Sequence, residues 1–215
     1  MDLEKIVKML IECCGVEGWW PSNDPFEISV QAILTQNTNW KNVMKATKNL
    51  KEKGLIDPKR MYEAPLEVLE DAIRPAGFYK LKAKRLKEFL EFVMTRLDGD
   101  ITRLRNIPME DARNMLLSVH GIGKETADTI LLFALNLPIM VVDAYTKRVL
   151  RRLGFDMPNN YDEIRKMLEK ASPKKDAKTY KLLHSAFDEL AKNYCKKKTP
   201  ICSKCPLEKY CKKLI

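Results

Sequence analysis

The amino-acid sequence predicts an all-α protein, and two observations support this fold class. Apolar residues recur at intervals of three and four along almost the whole chain, whereas few segments alternate with the period of two that a half-buried strand shows. Proline, glycine and short polar clusters separate the apolar stripes, as expected at the boundaries between helices. With 215 residues, the chain is long enough to bury a hydrophobic core as one domain or as two small ones.

Ten amphipathic stripes predict the helices. In chain order they are Ile6-Met9-Leu10-Cys13, Ile28-Ala32-Ile33, Val43-Ala46-Leu50, Leu66-Leu69-Ile73, Leu86-Phe89-Leu90-Val93, Ala112-Met115-Leu116-Val119, Ala127-Ile130-Leu131-Ala134, Val149-Leu153, Ile164-Met167-Leu168 and Leu182-Ala186-Leu190. The expected breakers between them are Pro21–Pro25, Gly54, Asp57-Pro58, Pro75–Gly77, Asp98–Asp100 and Pro158–Asn160. Cys13 and Cys14 are interpreted as core residues of the first helix.

The charge balance is basic. Lys and Arg number 39 against 29 Asp and Glu, which gives a net charge of +10. Such an excess suits a polyanionic partner, because each neutralised phosphate releases counterions. A thermophile-style surface rich in Lys and Glu has the same balance, so charge alone does not decide for nucleic acid.

The sequence predicts neither a membrane span nor a signal peptide. No run of about 18 apolar residues is present. The start, Met1–Lys5, lacks the basic residues followed by an apolar stretch that a signal peptide requires. We therefore expect a cytoplasmic protein in a reducing compartment, with a monomer as the default.

Four of the six cysteines lie close together at the end of the chain, as Cys195-x6-Cys202-x2-Cys205-x5-Cys211. In a reducing compartment this clustering indicates a metal site rather than disulfides, because neighbouring thiolates need a soft cation. The surrounding Lys-rich tail has no apolar stripe, so a metal would also give it a centre to fold around. Zinc held by four thiolates and a [4Fe–4S] cluster both satisfy this pattern.

A glycine hairpin and a single aspartate follow one another in the second half of the chain. Gly121-Ile122-Gly123 separates two helical stripes and predicts a tight turn, whose outward amides at the next helix start suit a phosphate. An ordinary helix–helix turn is the alternative. Asp143, after Val141-Val142, opens another helix, so its carboxylate is expected to be an N-cap. A capping carboxylate can also face a pocket.

Taken in order, the hairpin, the Val-Val-Asp segment and the cysteine spacing resemble the endonuclease III-like helix-hairpin-helix DNA glycosylases, over Phe26 to Cys211. The resemblance implies that the tail cysteines hold a [4Fe–4S] cluster rather than zinc. It also implies two helical lobes with a DNA cleft between them. These would be a six-helix domain over 24–136 and a cluster domain made of 1–23 and 137–215. The implied partner is double-stranded DNA that contains a damaged base.

The same resemblance assigns roles to individual residues. Asp143 matches the catalytic aspartate, whose carboxylate would stabilise the oxocarbenium-like sugar and orient the attacking water. Gln36 matches the glutamine that fills the hole left by the extruded base, and Phe78 matches an apolar wedge beside the orphaned base, with core packing as its alternative. The residues that match the DNA-binding hairpin are Gly121, Ile122, Gly123 and Lys124.

One position departs from the bifunctional members of this family. They place a Schiff-base lysine directly before the Thr-Ala of the hairpin, where this chain has Glu125. Lys124 lies one residue earlier, which turns its side chain about 100° around the helix. Because a carboxylate cannot form the imine that leads to strand cleavage, we expect a monofunctional glycosylase without AP lyase activity.

Three segments resemble the 3-methyladenine branch of this superfamily: Gly121–Asp128, Gly18–Pro21 and Thr35–Trp40. The resemblance implies an aromatic pocket for an alkylated purine, which suits an electron-poor or cationic ring. Its expected residues are Trp19, Trp20, Pro21 and Trp40, with negative charge from Glu125. Core packing is the alternative for the tryptophans. The tail cysteines are a departure from that branch.

Three other hypotheses remain open from the sequence. The first is a glycosylase with AP lyase activity for oxidised or mismatched pyrimidines. The second is a non-catalytic DNA-binding module, since helix-hairpin-helix units also serve purely to bind phosphates. The third is a zinc-binding interaction protein. The two histidines, His120 and His184, are expected to be surface or core residues rather than parts of a proton relay.

Overall fold

The computed structural model describes residues 2–214 and confirms the all-α fold class. It is 66% helical, and residues 2–214 contain no strand. The chain divides into two compact units, one formed by Ser22–Leu135 and the other by the segments before and after it. No helix in residues 2–214 combines the length and the apolar character that a membrane span requires.

The α-helices follow the predicted stripes in order. They are α1 (Leu3–Cys14), α2 (Pro25–Leu34), α3 (Trp40–Glu52), α4 (Pro58–Glu63), α5 (Leu66–Ile73), α6 (Tyr79–Leu97), α7 (Met109–Leu117), α8 (Lys124–Thr129), α9 (Ala144–Leu153), α10 (Tyr161–Ala171) and α11 (Ala177–Asn193). A π-helical turn, Ile130–Ala134, continues α8. Short 3-10 helices lie at Arg74–Ala76, Ile101–Asn106, Cys202–Lys204 and Glu208–Tyr210.

Helix α4 was not predicted, because its start was interpreted as a break. Asp57 is the N-cap of this helix, and its carboxylate accepts a hydrogen bond from the Arg60 amide at 2.8 Å. Pro58 occupies the first turn, where the missing amide costs nothing and the fixed φ angle favours the helix. An Asp-Pro pair therefore begins this helix, as Asp24 and Pro25 begin α2.

In the Ser22–Leu135 unit the apolar stripes form one core. Helix α2 packs against α6 and against the π-helical turn, and α5 packs against α3 and α6. The stripe of α3 is completely buried, as predicted from Val43, Ala46 and Leu50. A buried ion pair joins the two helices that flank the glycine hairpin: Arg113 of α7 binds both carboxylate oxygens of Asp128 of α8, with N···O distances of 2.6 and 3.1 Å.

In the other unit α11 is the central helix, with α1 and α9 packed against it. Ile6, Val7 and Leu10 form the buried face of α1. The prediction that Cys13 and Cys14 belong to the core is wrong, since Cys13 is exposed and Cys14 is half-buried. The buried face ends at Leu10, and neither cysteine of the last turn of α1 is part of it. The sulfur atoms of these two neighbouring cysteines are joined as a disulfide.

We expect Arg113→Met to lower the free energy of unfolding by about 3–5 kcal/mol, because it removes the guanidinium that binds both oxygens of the completely buried Asp128 carboxylate. Urea-induced unfolding followed by circular dichroism measures this loss. The matched control is Arg103→Met, which breaks the exposed ion pair with Asp98 and should cost at most about 1 kcal/mol. Equal losses in the two variants would show that the buried pair does not stabilise the hairpin.

Candidate active site

Asp143 has a fixed position at the start of α9. Its carboxylate is the N-cap of the helix, as the sequence predicted, and Oδ1 accepts a hydrogen bond from the Thr146 amide at 2.7 Å. The two residues before it, Val141 and Val142, are buried and anchor the chain. The Asp143 side chain itself is half-buried. The structure thus holds one carboxylate at a defined place near the surface of its unit.

A charged row on α11 lies in the same unit as Asp143. His184, Asp188 and Lys192 follow at intervals of four residues and therefore share one helix face. His184 and Asp188 are buried, with 7% and 4% of their surface exposed. The Lys192 ammonium lies 2.5 Å from Asp188 Oδ2. Asp188 and Lys192 were not predicted from the sequence, although they follow His184 at intervals of four residues.

Asp188 is electrostatically coupled to Asp143. Burial raises the pKa of the Asp188 carboxyl above its ordinary value, and the charge of Asp143 acts in the same direction. The hydrogen bond and the charge of Lys192, together with His184, act against this rise in pKa. The site therefore contains two interacting carboxyl groups, of which Asp188 is the more deeply buried.

Trp19 lies across this face of α11. Its ring meets His184 edge-on, with ring centroids 5.4 Å apart, and the Lys192 ammonium lies 5.7 Å from the centre of a Trp19 ring. Trp20 packs edge-on against Trp19, with the centroids 5.9 Å apart. Both tryptophans are half-buried and Pro21 is exposed, so none of them belongs to the core. Trp19 thus contacts the face of α11 that carries Asp188, in the unit that also contains Asp143.

The glycine hairpin lies in the Ser22–Leu135 unit. Gly121 has a φ of 88°, and a Cβ atom there would overlap with the Arg85 side chain, so the turn requires glycine on two grounds. Ile122 is buried and anchors the turn, and its amide donates to the Val119 carbonyl oxygen at 3.1 Å. Gly123 is the exposed N-cap of α8, and the side chains of Lys124 and Glu125 that follow it are exposed as well.

Gln36 is bound directly to this hairpin. Its side-chain nitrogen donates to the carbonyl oxygen of Gly121 at 3.1 Å and to the Thr126 hydroxyl at 3.0 Å. Its side-chain oxygen accepts a hydrogen bond from Arg85 of α6. Gln36 is half-buried and is held at both ends of its amide group.

Phe78 is the most exposed large apolar residue of those the structure describes, with 68% of its surface accessible. The core alternative for Phe78 is therefore wrong. It precedes α6 in the left-handed backbone region with a φ of 47°, and Gly77 before it has a φ of 68°. Trp40, another predicted pocket residue, is half-buried at the first position of α3 in the same unit.

The four tail cysteines line one pocket, together with Arg152, Tyr194, Pro200, Glu208 and Lys213. Within residues 2–214, no group of three or more His, Cys, Asp or Glu side chains is arranged to hold a metal ion. Burial raises the pKa of the Cys205 and Cys211 thiols, and the neighbouring cysteines add to this rise.

Hydrogen-bond donors point at two of these sulfur atoms. The Lys213 amide lies 3.3 Å from Cys211 Sγ, and the Arg152 guanidinium lies 3.5 Å from Cys195 Sγ. Such donors stabilise thiolates that bind a soft cation. The lining, with four cysteines and donors directed at two of their sulfurs, thus has the chemistry of a thiolate-bound metal centre, while the described side-chain positions do not form a ligand set.

Comparison with known proteins identifies the family. The model of the HhH-GPD superfamily base excision DNA repair proteins matches residues 30–174. A Methanocaldococcus jannaschii protein, whose name places it with DNA repair glycosylases, is 43% identical over 210 residues, which cover 96% of this chain and 94% of that protein. The chain therefore belongs to the HhH-GPD superfamily and is a base excision repair DNA glycosylase.

Two solved structures show the same fold at similar levels of identity. A Helicobacter pylori 3-methyladenine DNA glycosylase bound to 1,N6-ethenoadenine is 30% identical with a TM-score of 0.79, covering 89% of this chain and 98% of that one. A trapped covalent complex of endonuclease III with DNA is 27% identical with a TM-score of 0.81, covering 99% and 97%. A 3-methyladenine DNA glycosylase and an endonuclease III thus share this fold.

Proposed function

We propose that this glycosylase is monofunctional and removes alkylated purines, such as 3-methyladenine, from double-stranded DNA. The observation that carries the proposal is the grouping of Asp143 with Asp188, His184 and Trp19 in one unit. This grouping combines negative charge with an aromatic surface, which suits a cationic or electron-poor ring better than a neutral pyrimidine.

In this mechanism Asp143 acts on the sugar. As the bond between base and sugar lengthens, positive charge develops on the deoxyribose, and a fixed carboxylate beside it lowers the barrier. The same carboxylate can orient the water that attacks the sugar. The Thr146 amide fixes Asp143 in one orientation, so little reorganisation is required when the charge develops.

The aromatic pair Trp19 and Trp20 supports the choice of an alkylated purine. An extruded base needs a flat surface to replace the stacking that it loses in the duplex. Asp188 in the same unit is paired with Lys192, so the negative charge that would favour a cationic base comes from the half-buried Asp143. The Helicobacter pylori structure with 1,N6-ethenoadenine is consistent with a modified purine on this fold.

Glu125 supports a monofunctional reaction. The Schiff-base mechanism requires an amine, and the exposed residue directly before Thr126 and Ala127 is a glutamate. The product would be an abasic site, with the DNA strand left intact.

A second candidate is a bifunctional glycosylase for oxidised or mismatched pyrimidines. The endonuclease III structure favours this candidate, because it is a trapped covalent intermediate between enzyme and DNA. The four tail cysteines also favour this candidate, because their spacing resembles that of endonuclease III-like enzymes.

We further propose that Cys195, Cys202, Cys205 and Cys211 hold a [4Fe–4S] cluster. When bound, the cluster supplies a rigid centre that links the four cysteines and fixes the fold of the tail. Arg152 and Arg148 support the loop from the protein side, because both donate hydrogen bonds to the Cys195 carbonyl oxygen, at 3.4 and 2.9 Å. None of the proposed steps of base release passes through the cluster.

Single-turnover assays on defined duplexes test the substrate and the role of Asp143 together. We expect faster release of 3-methyladenine than of thymine glycol or of thymine opposite guanine. Asp143→Asn should slow this release by about 10²- to 10⁴-fold, while Asn keeps the helix cap and the unfolding temperature. Asp57→Asn, an equivalent change at the exposed N-cap of α4, should leave the rate unchanged. Faster release of the pyrimidine lesions would favour the second candidate.

Borohydride reduction tests for the Schiff base. With duplex DNA that contains an abasic site, we expect no covalent enzyme–DNA adduct, because Glu125 cannot form an imine. Denaturing gel electrophoresis detects such an adduct, and a bifunctional endonuclease III serves as the positive control. Efficient trapping of this protein would contradict the monofunctional assignment.

Metal and sulfide analysis of protein purified without oxygen tests the cluster. We expect iron and inorganic sulfide in equal amounts and a brown solution that absorbs visible light. Cys205→Ser should lower both contents, whereas Cys13→Ser, at an exposed cysteine of α1, should leave them unchanged. A colourless protein that contains zinc would rule out the cluster.

A further inference from the structure

A buried lysine connects the two loops that carry Gln36 and Phe78. Lys82 lies in the first turn of α6, and only 1% of its surface is exposed. Its ammonium donates to the carbonyl oxygens of Leu34 and Ala76, both at 2.8 Å. Leu34 ends α2 two residues before Gln36, and Ala76 precedes Phe78 by two residues. One cation therefore fixes the backbone at the base of both loops.

Both acceptors of Lys82 are backbone carbonyls rather than carboxylates. Burial lowers the pKa of this ammonium to about 8, and the charge of Arg85 acts in the same direction. An apolar side chain of similar length would fill this space without the cost of desolvating a charge. What the ammonium contributes is the position of two carbonyl groups, because hydrogen bonds fix direction and apolar contacts do not.

Arg85, on the next turn of α6, extends this connection to the hairpin. It donates to the side-chain oxygen of Gln36 and packs against Gly121, where a Cβ atom would overlap with it. Lys82 and Arg85 thus fix the Gln36 loop, the Phe78 loop and the hairpin relative to a single helix.

We propose that Lys82 is a positioning residue for base extrusion, because it holds the Gln36 loop and the Phe78 loop at a fixed separation. The inference rests on the proposed function and on the roles that the family resemblance implies for Gln36 and Phe78, whose side chains would replace the extruded base in the stack. Gln36 and Phe78 can fill one vacated space only when their loops keep this separation. Lys82 acts through both loops and does not contact the DNA.

The chain offers a matched control on the same helix. Lys87 also donates to backbone carbonyls, those of Tyr62 and Ala64 at 2.5 Å, but these belong to the end of α4. Burial lowers its pKa as well. Lys87→Met therefore removes a comparable carbonyl-binding ammonium without affecting the two loops.

The first measurement uses the free protein. Hydrogen exchange should be faster in Lys82→Met than in wild type at residues 35–39 and 77–80, and unchanged there in Lys87→Met. Should Lys82→Met fail to fold, Lys82→Gln keeps a donor group on a shorter side chain and serves in its place. Unchanged exchange in both loops would overturn the inference, whether or not the protein releases any base.

The second measurement uses a duplex with 2-aminopurine beside the damaged base, so that fluorescence reports extrusion. In Lys82→Met both the fluorescence rise and single-turnover base release should fall by about tenfold or more, as expected when a charged hydrogen bond is lost. Placing the lesion in an unpaired bulge should restore most of the rate, since extrusion from a bulge costs less. Lys87→Met should match wild type on both substrates.

The outcomes separate this inference from the proposed function. Wild-type protein that releases no base from any lesion would contradict the proposed function. Active wild type together with an equally active Lys82→Met would overturn the inference alone. An equal loss of base release in Lys82→Met and Lys87→Met, or an equal loss on duplex and bulge, would also overturn the inference. It would show that Lys82 has only a structural role.

Discussion

The proposed chemistry depends on a carboxylate that cannot rotate freely. The Thr146 amide holds one oxygen of Asp143, and the buried Val141 and Val142 anchor the chain that precedes it. The hydrogen bond that begins α9 therefore also fixes the direction in which the carboxylate charge acts. A charge fixed before the reaction starts stabilises a developing cation without reorganisation. In this protein the folding of one helix and the placement of the proposed catalytic charge rely on the same atom.

The helices were predictable where a stripe of apolar residues is long enough to identify one buried face. The stripe of Val43, Ala46 and Leu50 is such a case, and all three are completely buried. Helix α4 was missed because its six residues make fewer than two turns and because Asp57-Pro58 carries the chemistry of a break as well as that of a helix start. Cys13 was misplaced because periodicity indicates a direction around the helix but not where its packed surface ends.

The site was predictable only where a motif marked it. Asp143 and Trp19 were selected from local segments, but their common unit is a property of the fold that local patterns do not contain. Asp188 and Lys82 belong to no motif. Their burial was not predicted, because charged side chains are usually exposed. Each nonetheless lies at helical spacing from a residue that was noticed, Asp188 from His184 and Lys82 from Leu86. A charged residue in register with an apolar stripe is therefore a sequence signal that the residue is buried.

The exposure of Phe78 has a consequence for how such an enzyme can change. Its ring contributes little to the core, so a side chain that tolerates the positive φ at this position can replace it with little loss of folding free energy. Evolution or an experimenter can therefore alter the side chain that is proposed to enter the DNA base stack while the scaffold stays constant. A fluorescent ring placed there would report insertion into DNA directly, from a position that the rest of the protein scarcely touches.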